Sequence, residues 1–277
     1  MIIFMKLSVS AWRLQEKLFS KEISIFDFIH YCHDNGVKYV ELLDCFLHGE
    51  EEINKINERI KKLDMEVSAY SIANDFVLAD SVKRKEQAAY IKESMDTALK
   101  LGTRLLRVFS GDKKEGMSFE AAEDWIVECF QEVAPLAEQK GITMVLENHG
   151  LLAGKSSQVK RILERVGSKA LKSNADIGNF LLVSENSLEA VRNLNEKIGF
   201  LHLKDFKKVD DKQGYAAIDG SIYQGVVLGR SDVPVSEIIN YLKDHGYEGY
   251  LSIEYEGMED PFQGTLECIT YTKHAIQ

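Results

Sequence analysis

Residues 141–149 read GITMVLENH: a glycine, a short apolar run, and then the polar residues Glu147, Asn148 and His149. The same order of helical stretch, glycine and apolar run recurs along the chain. It is found at Gly36 before VKYVEL, Gly102 before TRLLRV, Gly199 before FLHLKD and Gly246 before YEGYLSIE. Glycine suits the left-handed residue that closes a helix. The apolar runs do not alternate cleanly, which indicates strands that are buried on both faces, as in a parallel sheet.

Eight candidate strands follow from this pattern once the opening run KLSVSAW is added, and each is followed by a candidate helix. They are residues 6–10, 38–43, 66–72, 104–109, 142–147, 171–175, 199–204 and 249–254. Eight strand–helix units in 277 residues are typical of a (β/α)8 barrel. An open doubly wound sheet is the alternative, but it usually has fewer units and a glycine-rich turn after its first strand, where this chain has SAWRLQEK. No linker divides the chain, so we predict a single α/β TIM-barrel domain over residues 1–277.

The segments between the strands have the periodicity of amphipathic helices. Ser24 and Asp27 predict a capping box at the start of the first long helix. A longer helix is expected over residues 118–140, where Pro135 removes one backbone donor and should bend it. The longest irregular stretch, residues 206–231, follows the seventh strand, and loops of that length are usually functional.

The composition excludes several classes of protein. With 34 Lys and Arg against 44 Asp and Glu, the formal charge is −10, which argues against nucleic acid or an anionic membrane as partner. The chain has no apolar run of about 18 residues, and its apolar start is too short for a signal peptide. The four cysteines are far apart and include no CxxC pair, as is typical of reduced thiols. We therefore predict a cytoplasmic protein.

Four consecutive strands deliver polar side chains to the same rim of the predicted barrel. They end near Glu147, Asp176, His202 and Glu254. The carboxyl ends of barrel strands form the active-site face. Three carboxylates crowded there would repel one another, and a divalent cation resolves that repulsion. Three oxygen ligands and one imidazole favour Mn²⁺ or Mg²⁺, with Co²⁺ or Zn²⁺ as alternatives. The competing interpretation is that each residue is separately solvated or salt-bridged.

Further residues lie near this rim. His149 and Lys204 each lie two residues beyond a predicted ligand and therefore point to the same side of the strand. We expect both to contact substrate; the alternatives are a hydrogen-bonded loop residue for His149 and a rim salt bridge from Lys204 to Asp205 or Glu256.

Three residues from earlier strands complete the set. Arg107 is expected either to reach the substrate or to pair with Glu147. Trp12 either stacks on a sugar face or packs locally. Glu41, from the second strand, is a candidate to support the predicted ligands.

The motifs MVLENHG, NADIGN, FLHLKDF and GYEGYLSIEYEG, spread over nearly the whole chain, resemble the xylose isomerase-like TIM-barrel superfamily of sugar isomerases, epimerases and inosose dehydratases. In its ketose 3-epimerase branch, residues matching Glu147, Asp176, His202 and Glu254 bind one Mn²⁺ or similar ion. The resemblance implies that the same four residues bind metal here and that the two glutamates also move the proton.

The resemblance also shows departures from the epimerase branch. Asn179 stands where the epimerases have a substrate-binding His, Ala153 replaces a substrate-binding Glu, and Lys208 replaces an Arg. Asn179 remains a candidate substrate contact. The metal set is kept while the sugar-contacting set is changed, so the substrate and the reaction type are left open.

A carbonyl polarised by a metal acidifies the adjacent C–H, and a nearby carboxylate can take the proton to give an enediolate. Returning the proton gives epimerisation or aldose–ketose isomerisation, whereas loss of a β-hydroxyl gives dehydration. We predict a sugar isomerase or epimerase that acts on a small polar sugar-like substrate. The alternative is a dehydratase acting on a keto-sugar, inosose or dehydroshikimate-like substrate. A dimer or tetramer is expected.

Other functions have weaker support. A non-catalytic sugar-binding barrel would keep the metal site closed, whereas this one is at the open mouth. An endonuclease-IV-like repair enzyme would have histidines at further strand ends, and strands two to four here end in ELLD, YSIAND and RVFSGD. The stretch GLLAGKS has three residues between its glycines, whereas a phosphate loop needs four.

Overall fold

The computed structural model describes residues 5–277, which form a closed barrel of eight parallel strands with helices between them. In spatial order the barrel runs β1-β11-β7-β6-β5-β4-β3-β2. The barrel strands are β1 (Lys6–Ser10), β2 (Tyr39–Leu43), β3 (Glu66–Ser71), β4 (Leu105–Val108), β5 (Thr143–Glu147), β6 (Leu171–Asp176), β7 (Ile198–Leu203) and β11 (Tyr250–Ile253). The predicted TIM barrel is confirmed, and each predicted strand overlaps an observed one.

Helices connect these strands. They are α1 (Gln15–Phe19), α2 (Ile25–Asp34), α3 (Gly49–Lys62), α4 (Ser81–Lys100), α5 (Phe119–Lys140), α6 (Ser156–Val166), α7 (Asn179–Leu182), α8 (Ser187–Leu194), α9 (Val235–Asp244) and α10 (Pro261–Ala275). Short 3-10 turns lie at Ala11–Leu14, Asp44–Phe46 and Asn195–Lys197. The capping box of Ser24 and Asp27 at the start of α2 is confirmed, and Gly141 closes α5 with φ 65°.

One glycine was placed wrongly from the sequence. Gly199 lies inside β7 and does not close a helix, because α8 already ends at Leu194. The positive φ at this connection belongs to Asn195, at 21°. At Gly199 a Cβ would lie 3.0–3.2 Å from side-chain atoms of Lys172 and Val145, so the glycine serves close packing between strands.

The stretch after β7 is also more regular than predicted. Three strands, β8 (Asp205–Val209), β9 (Tyr215–Ala216) and β10 (Ile222–Val226), form an antiparallel sheet in the order β8-β10-β9. Asp205, at the start of β8, accepts hydrogen bonds from the backbone N–H groups of Arg230, Ser231 and Val233. These bonds connect the first residue of the stretch to the segment that follows β10. Burial raises the pKa of Asp205 to about 6, and those backbone N–H groups oppose the rise.

The buried apolar residues form two separate clusters, a large one and a small one. The main core is built from apolar residues of strands and helices together, whereas Ala69, Val145 and Phe200 form a separate small cluster. Phe200 precedes His202 by two residues in β7 and contacts its ring at 5.7 Å between centroids. The period of two therefore places an apolar layer beneath the polar mouth of the barrel.

Cys32, Cys129 and Cys268 are buried and Cys45 is exposed, and all four are free thiols as predicted. Within residues 5–277, none of the helices combines the length and apolar character that crossing a bilayer requires. The expectation about the apolar start of the chain concerns residues 1–4 in part, which lie outside the described residues.

Candidate metal centre

Four neighbouring strands bring together Glu147, Asp176, His202 and Glu254, which form the four-residue cluster. Glu147 ends β5, Asp176 ends β6, His202 lies in β7, and Glu254 follows β11. One ligand atom from each lies within 4.8 Å of the others, and all four residues are buried. The register pairs Asp176 with His202 across β6 and β7, so these two side chains leave the sheet at the same height.

The spacing of the cluster fits a divalent ion. His202 Nδ1 lies 3.5 Å from Glu147 Oε2, 3.6 Å from Glu254 Oε2 and 3.8 Å from Asp176 Oδ2. Ligand atoms bound at about 2.1 Å to one ion stand roughly 3 to 4 Å apart. Nδ1 of His202 and Oδ2 of Asp176 are both buried and neither has a hydrogen-bond partner. His202 Nδ1 needs a partner, and a divalent cation would supply one while sharing Asp176 Oδ2 with the Lys204 ammonium 2.9 Å away.

The backbone around Asp176 and a neighbouring amide fix its orientation. Oδ1 of Asp176 accepts the backbone N–H groups of Gly178 and Asn179 at 2.9 and 3.0 Å. The Asn148 amide bonds to both the backbone N–H and the backbone carbonyl of Asp176, which joins the ends of β5 and β6. Oδ2 is thereby left facing the other members of the cluster.

The charges around the cluster shift the pKa values of its two glutamates in opposite directions. Burial raises the pKa of Glu147, but the nearby charges of Arg107 and His202 outweigh burial and hold that pKa far below its usual value. Burial raises the pKa of Glu254 to about 7, and the charges of Lys204 and His202 offset only part of that rise. Burial lowers the pKa of His202, but the charges of nearby carboxylates raise it well above its ordinary value.

Lys204 lies inside the site. Its Nζ is 2.6 Å from Glu254 Oε2, 2.9 Å from Asp176 Oδ2 and 3.4 Å from Glu256 Oε2. The contact with Asp176 is an ion pair without hydrogen-bond geometry. The alternative salt bridge to Glu256 is therefore present, whereas the one to Asp205 is wrong. Successive strand residues point to opposite sides, so the partners of Lys204 come from other strands.

Arg107 and His149 both contact Glu147. Arg107 Nε lies 3.4 Å from Glu147 Oε2, and its guanidinium also donates to the carbonyl of Ile72. His149 Nδ1 lies 3.3 Å from Glu147 Oε1, and its half-exposed ring stacks on Phe109 at 4.2 Å between centroids. The predicted pairing of Arg107 with Glu147 is present, and His149 retains an exposed edge toward solvent.

Asn179 and Trp12 reach the site in different ways. Asn179 is buried and its side-chain amide lies 3.4 Å from Glu147 Oε1. Trp12 is half-buried and donates from Nε1 to Glu256 Oε1 at 3.0 Å, so it connects to the cluster through Glu256 and Lys204. A cavity of 260 Å³ opens beside this contact and is lined by Trp12, Tyr215 and Glu256, among others.

Asn174 and Ser252 are polar residues of the site that were not identified from the sequence. Asn174 donates to Glu147 Oε2 at 3.2 Å, and Ser252 donates to Glu41 at 2.7 Å. Each precedes a member of the four-residue cluster by two residues. The same period of two that singled out His149 and Lys204 would have found both.

The family model described as xylose isomerase-like TIM barrel matches residues 29–273. Among curated proteins, the chain is similar to an inosose dehydratase of Clostridium perfringens, with 25% identity over 162 residues. That match covers 54% of this chain and 54% of the relative, so the chain spans about half the length of this dehydratase.

Solved structures share the fold over almost the whole chain. A probable 3-DHS dehydratase, AsbF of Bacillus anthracis, superposes with a TM-score of 0.80 at 18% identity, covering 97% of this chain and 99% of that one. A D-psicose 3-epimerase of Clostridium cellulolyticum superposes with a TM-score of 0.78 at 16% identity, covering 99% and 100%.

Metal binding should stabilise the protein. Mn²⁺ at about a hundred times its Kd should add about 2.7 kcal/mol to the free energy of unfolding, which raises the Tm by roughly 5 °C or more. Asp176→Asn replaces one cluster oxygen by an amide and should lose most of this shift. Asp64→Asn, exposed before β3 at the opposite end of the barrel, is the matched control and should keep it. Thermal unfolding with and without Mn²⁺ checks this, and no shift in the wild-type protein would contradict the metal site.

Metal affinity should fall as the pH falls. Protons on His202 and Glu254, whose pKa values are raised, must leave before an ion can bind there. The affinity should therefore decrease about tenfold per pH unit for each displaced proton between about pH 8 and pH 6. Calorimetric titration with Mn²⁺ in buffers of different ionisation enthalpy counts the released protons. An affinity that does not change over this interval would refute the raised pKa values of His202 and Glu254.

Proposed function

The chain belongs to the xylose isomerase-like TIM-barrel family, and from that premise we propose that it is a divalent-metal-dependent enzyme acting on a small sugar or sugar derivative. The reaction begins with removal of a proton from the carbon next to the substrate carbonyl. The four-residue cluster at the barrel mouth is the observation that carries this proposal. Mn²⁺ or Mg²⁺ is the preferred ion because three of its ligands are oxygens, with Co²⁺ or Zn²⁺ as alternatives.

A bound divalent ion would polarise the carbonyl and make the adjacent C–H acidic. Glu147 is held ionised by Arg107 and is therefore the base that accepts the proton. Glu254, which faces Glu147 across the cluster, is the carboxyl group that we assign to return a proton.

We assign substrate contacts to residues around the cluster. Lys204 carries a buried ammonium that can hold a hydroxyl or stabilise an oxyanion. His149 and Trp12 present a half-exposed imidazole and a half-buried indole at the same mouth. Arg107 and Asn179 contact Glu147 and contribute by orienting it. A cavity of 260 Å³ is lined by Trp12 and Glu256, and Glu256 contacts Lys204 of the site.

Sugar isomerase or epimerase is the first choice of reaction. Glu147 ends β5 and Glu254 follows β11, and these two strands are separated by two others in the barrel. A substrate lying over the centre would have one carboxyl group toward each side. Returning the proton to the opposite face of the same carbon inverts it, and returning it to the next carbon moves the carbonyl.

Dehydration is the second candidate, and a specific contact favours it. The ammonium of Lys204 is 2.6 Å from Glu254 Oε2, so a cation that can bind a departing hydroxyl lies beside the proposed acid. Two positions that bind substrate in the epimerases also hold different residues in this chain. Ala153, in place of a Glu, is buried and apolar, and Lys208, in place of an Arg, is exposed in β8. The similarity to an inosose dehydratase points in the same direction.

Incubation in D₂O with Mn²⁺ and a panel of ketoses and inososes separates the two reactions. An isomerase or epimerase should incorporate deuterium at a carbon that keeps all its hydroxyl groups, because the abstracted proton exchanges with solvent. A dehydratase should release water and give an unsaturated or deoxy-keto product. Mass spectrometry and NMR distinguish these outcomes. Absence of both exchange and dehydration over the whole panel, with metal bound, would contradict the proposed chemistry.

Glu254→Gln should abolish most of the activity found in that assay. The amide cannot exchange a proton at neutral pH, so turnover per bound ion should fall by about a hundredfold or more. Glu123→Gln is the matched control, because Glu123 is a buried glutamate paired with Arg161 and Arg165 away from the cluster. Unchanged turnover per bound ion in Glu254→Gln would remove Glu254 from the proton transfer.

A further inference from the structure

Glu41 contacts the four-residue cluster through the His202 ring. It lies in β2, is fully buried, and sits on the far side of the His202 ring from the other cluster residues. His202 Nε2 is 3.1 Å from Glu41 Oε1 and 3.0 Å from Oε2. Nδ1 of the same ring faces Glu147, Asp176 and Glu254. The imidazole thus bridges Glu41 on one side and the rest of the cluster on the other.

Two serines hold the Glu41 carboxylate in place. Ser71 Oγ donates to Oε1 at 2.6 Å, and Ser252 Oγ donates to Oε2 at 2.7 Å. Both oxygens therefore accept a hydroxyl hydrogen bond and share the imidazole donor. A carboxylate with this many donors stays ionised and keeps one orientation.

This arrangement selects one tautomer of His202. If Nε2 carried no hydrogen, its lone pair would face the lone pairs of Glu41 at 3.0 Å in a buried site. Nε2 must therefore carry the hydrogen, which leaves the lone pair of a neutral ring on Nδ1. Nδ1 is the buried ring nitrogen that has no hydrogen-bond partner.

We propose that Glu41 is a positioning residue that holds the His202 ring with Nε2–H directed at its carboxylate, so that Nδ1 is presented to a divalent ion. The inference rests on the metal centre proposed above. It assigns to Glu41 control of the orientation and basicity of a metal ligand, an effect that partners of metal-bound histidines commonly have.

Substitutions at Glu41 should separate positioning from packing. Glu41→Ala removes the acceptor and leaves the ring free to rotate, so Zn²⁺ affinity should fall by about 10- to 100-fold. Glu41→Gln keeps one carbonyl oxygen that can accept from Nε2 and should recover most of the affinity. The matched pair Glu123→Ala and Glu123→Gln removes another buried glutamate and should leave Zn²⁺ affinity at the wild-type value.

The measurement is competition of each folded variant with a chromophoric chelator for Zn²⁺ alone. It is combined with ¹⁵N NMR of the histidine side chains in the Zn²⁺-loaded protein. In the wild-type protein the histidine whose signals move on Zn²⁺ addition should have a protonated Nε2 and a metal-bound Nδ1. In Glu41→Ala that pattern should be lost or mixed with the other tautomer. Thermal unfolding confirms that each variant is folded.

The outcomes distinguish this inference from the proposed function. Wild-type affinity and an unchanged ¹⁵N pattern in Glu41→Ala would overturn the role of Glu41 and leave the metal centre standing. A wild-type protein whose His202 binds Zn²⁺ through Nε2 would overturn it as well. Failure of the wild-type protein to bind Zn²⁺ would overturn the metal centre and this inference together. Normal Zn²⁺ binding with the expected losses in Glu41→Ala, but without turnover of any sugar, would support Glu41 and refute the proposed reaction.

Discussion

The site depends on the repulsion among carboxylates that the barrel crowds into its mouth. Glu147, Asp176 and Glu254 are each at most 5% exposed, so water cannot screen their charges. Arg107 lies beside Glu147, and Lys204 lies between Asp176 and Glu254. Two fixed cations do not balance these carboxylates together with buried Glu41 and nearby Glu256. A divalent ion at Asp176 Oδ2 and His202 Nδ1, neither of which has a hydrogen-bond partner, would bring the site close to neutrality.

Much of the barrel and the composition of the four-residue cluster could be predicted from the sequence, because both follow from short periodicities. Apolar runs that end in a carboxylate or imidazole mark strand ends, and parallel strands bring such ends to one rim. The contacts across the barrel were not predictable in this way. Which nitrogen of His202 faces the cluster depends on Glu41 in β2 and on Ser71 and Ser252 in other strands. Those pairings arise only when the barrel closes.

The errors of the sequence-based prediction have physical causes as well. The stretch that forms β8, β9 and β10 lacks the apolar run that marks the barrel strands, so its sequence predicts irregular structure. Several residues of this antiparallel sheet are exposed, and a strand with exposed residues does not need such a run. Gly199 was expected to end a helix because glycine usually does so, but in β7 it gives space to Lys172 and Val145. Asp205 was one candidate partner of Lys204 because the two adjoin in sequence, although the actual partners come from neighbouring strands.

The reaction type depends on what surrounds the metal centre. Epimerisation, isomerisation and dehydration share the first proton transfer, so the four-residue cluster serves all three equally. The central claim is that this cluster, with His202 presenting Nδ1, holds one divalent ion. Anomalous diffraction from crystals grown with Mn²⁺ tests that claim most directly. We predict a single strong peak about 2.1–2.3 Å from Glu147, Asp176, Glu254 and Nδ1 of His202. A barrel mouth without a peak, or an ion bound elsewhere, would contradict it.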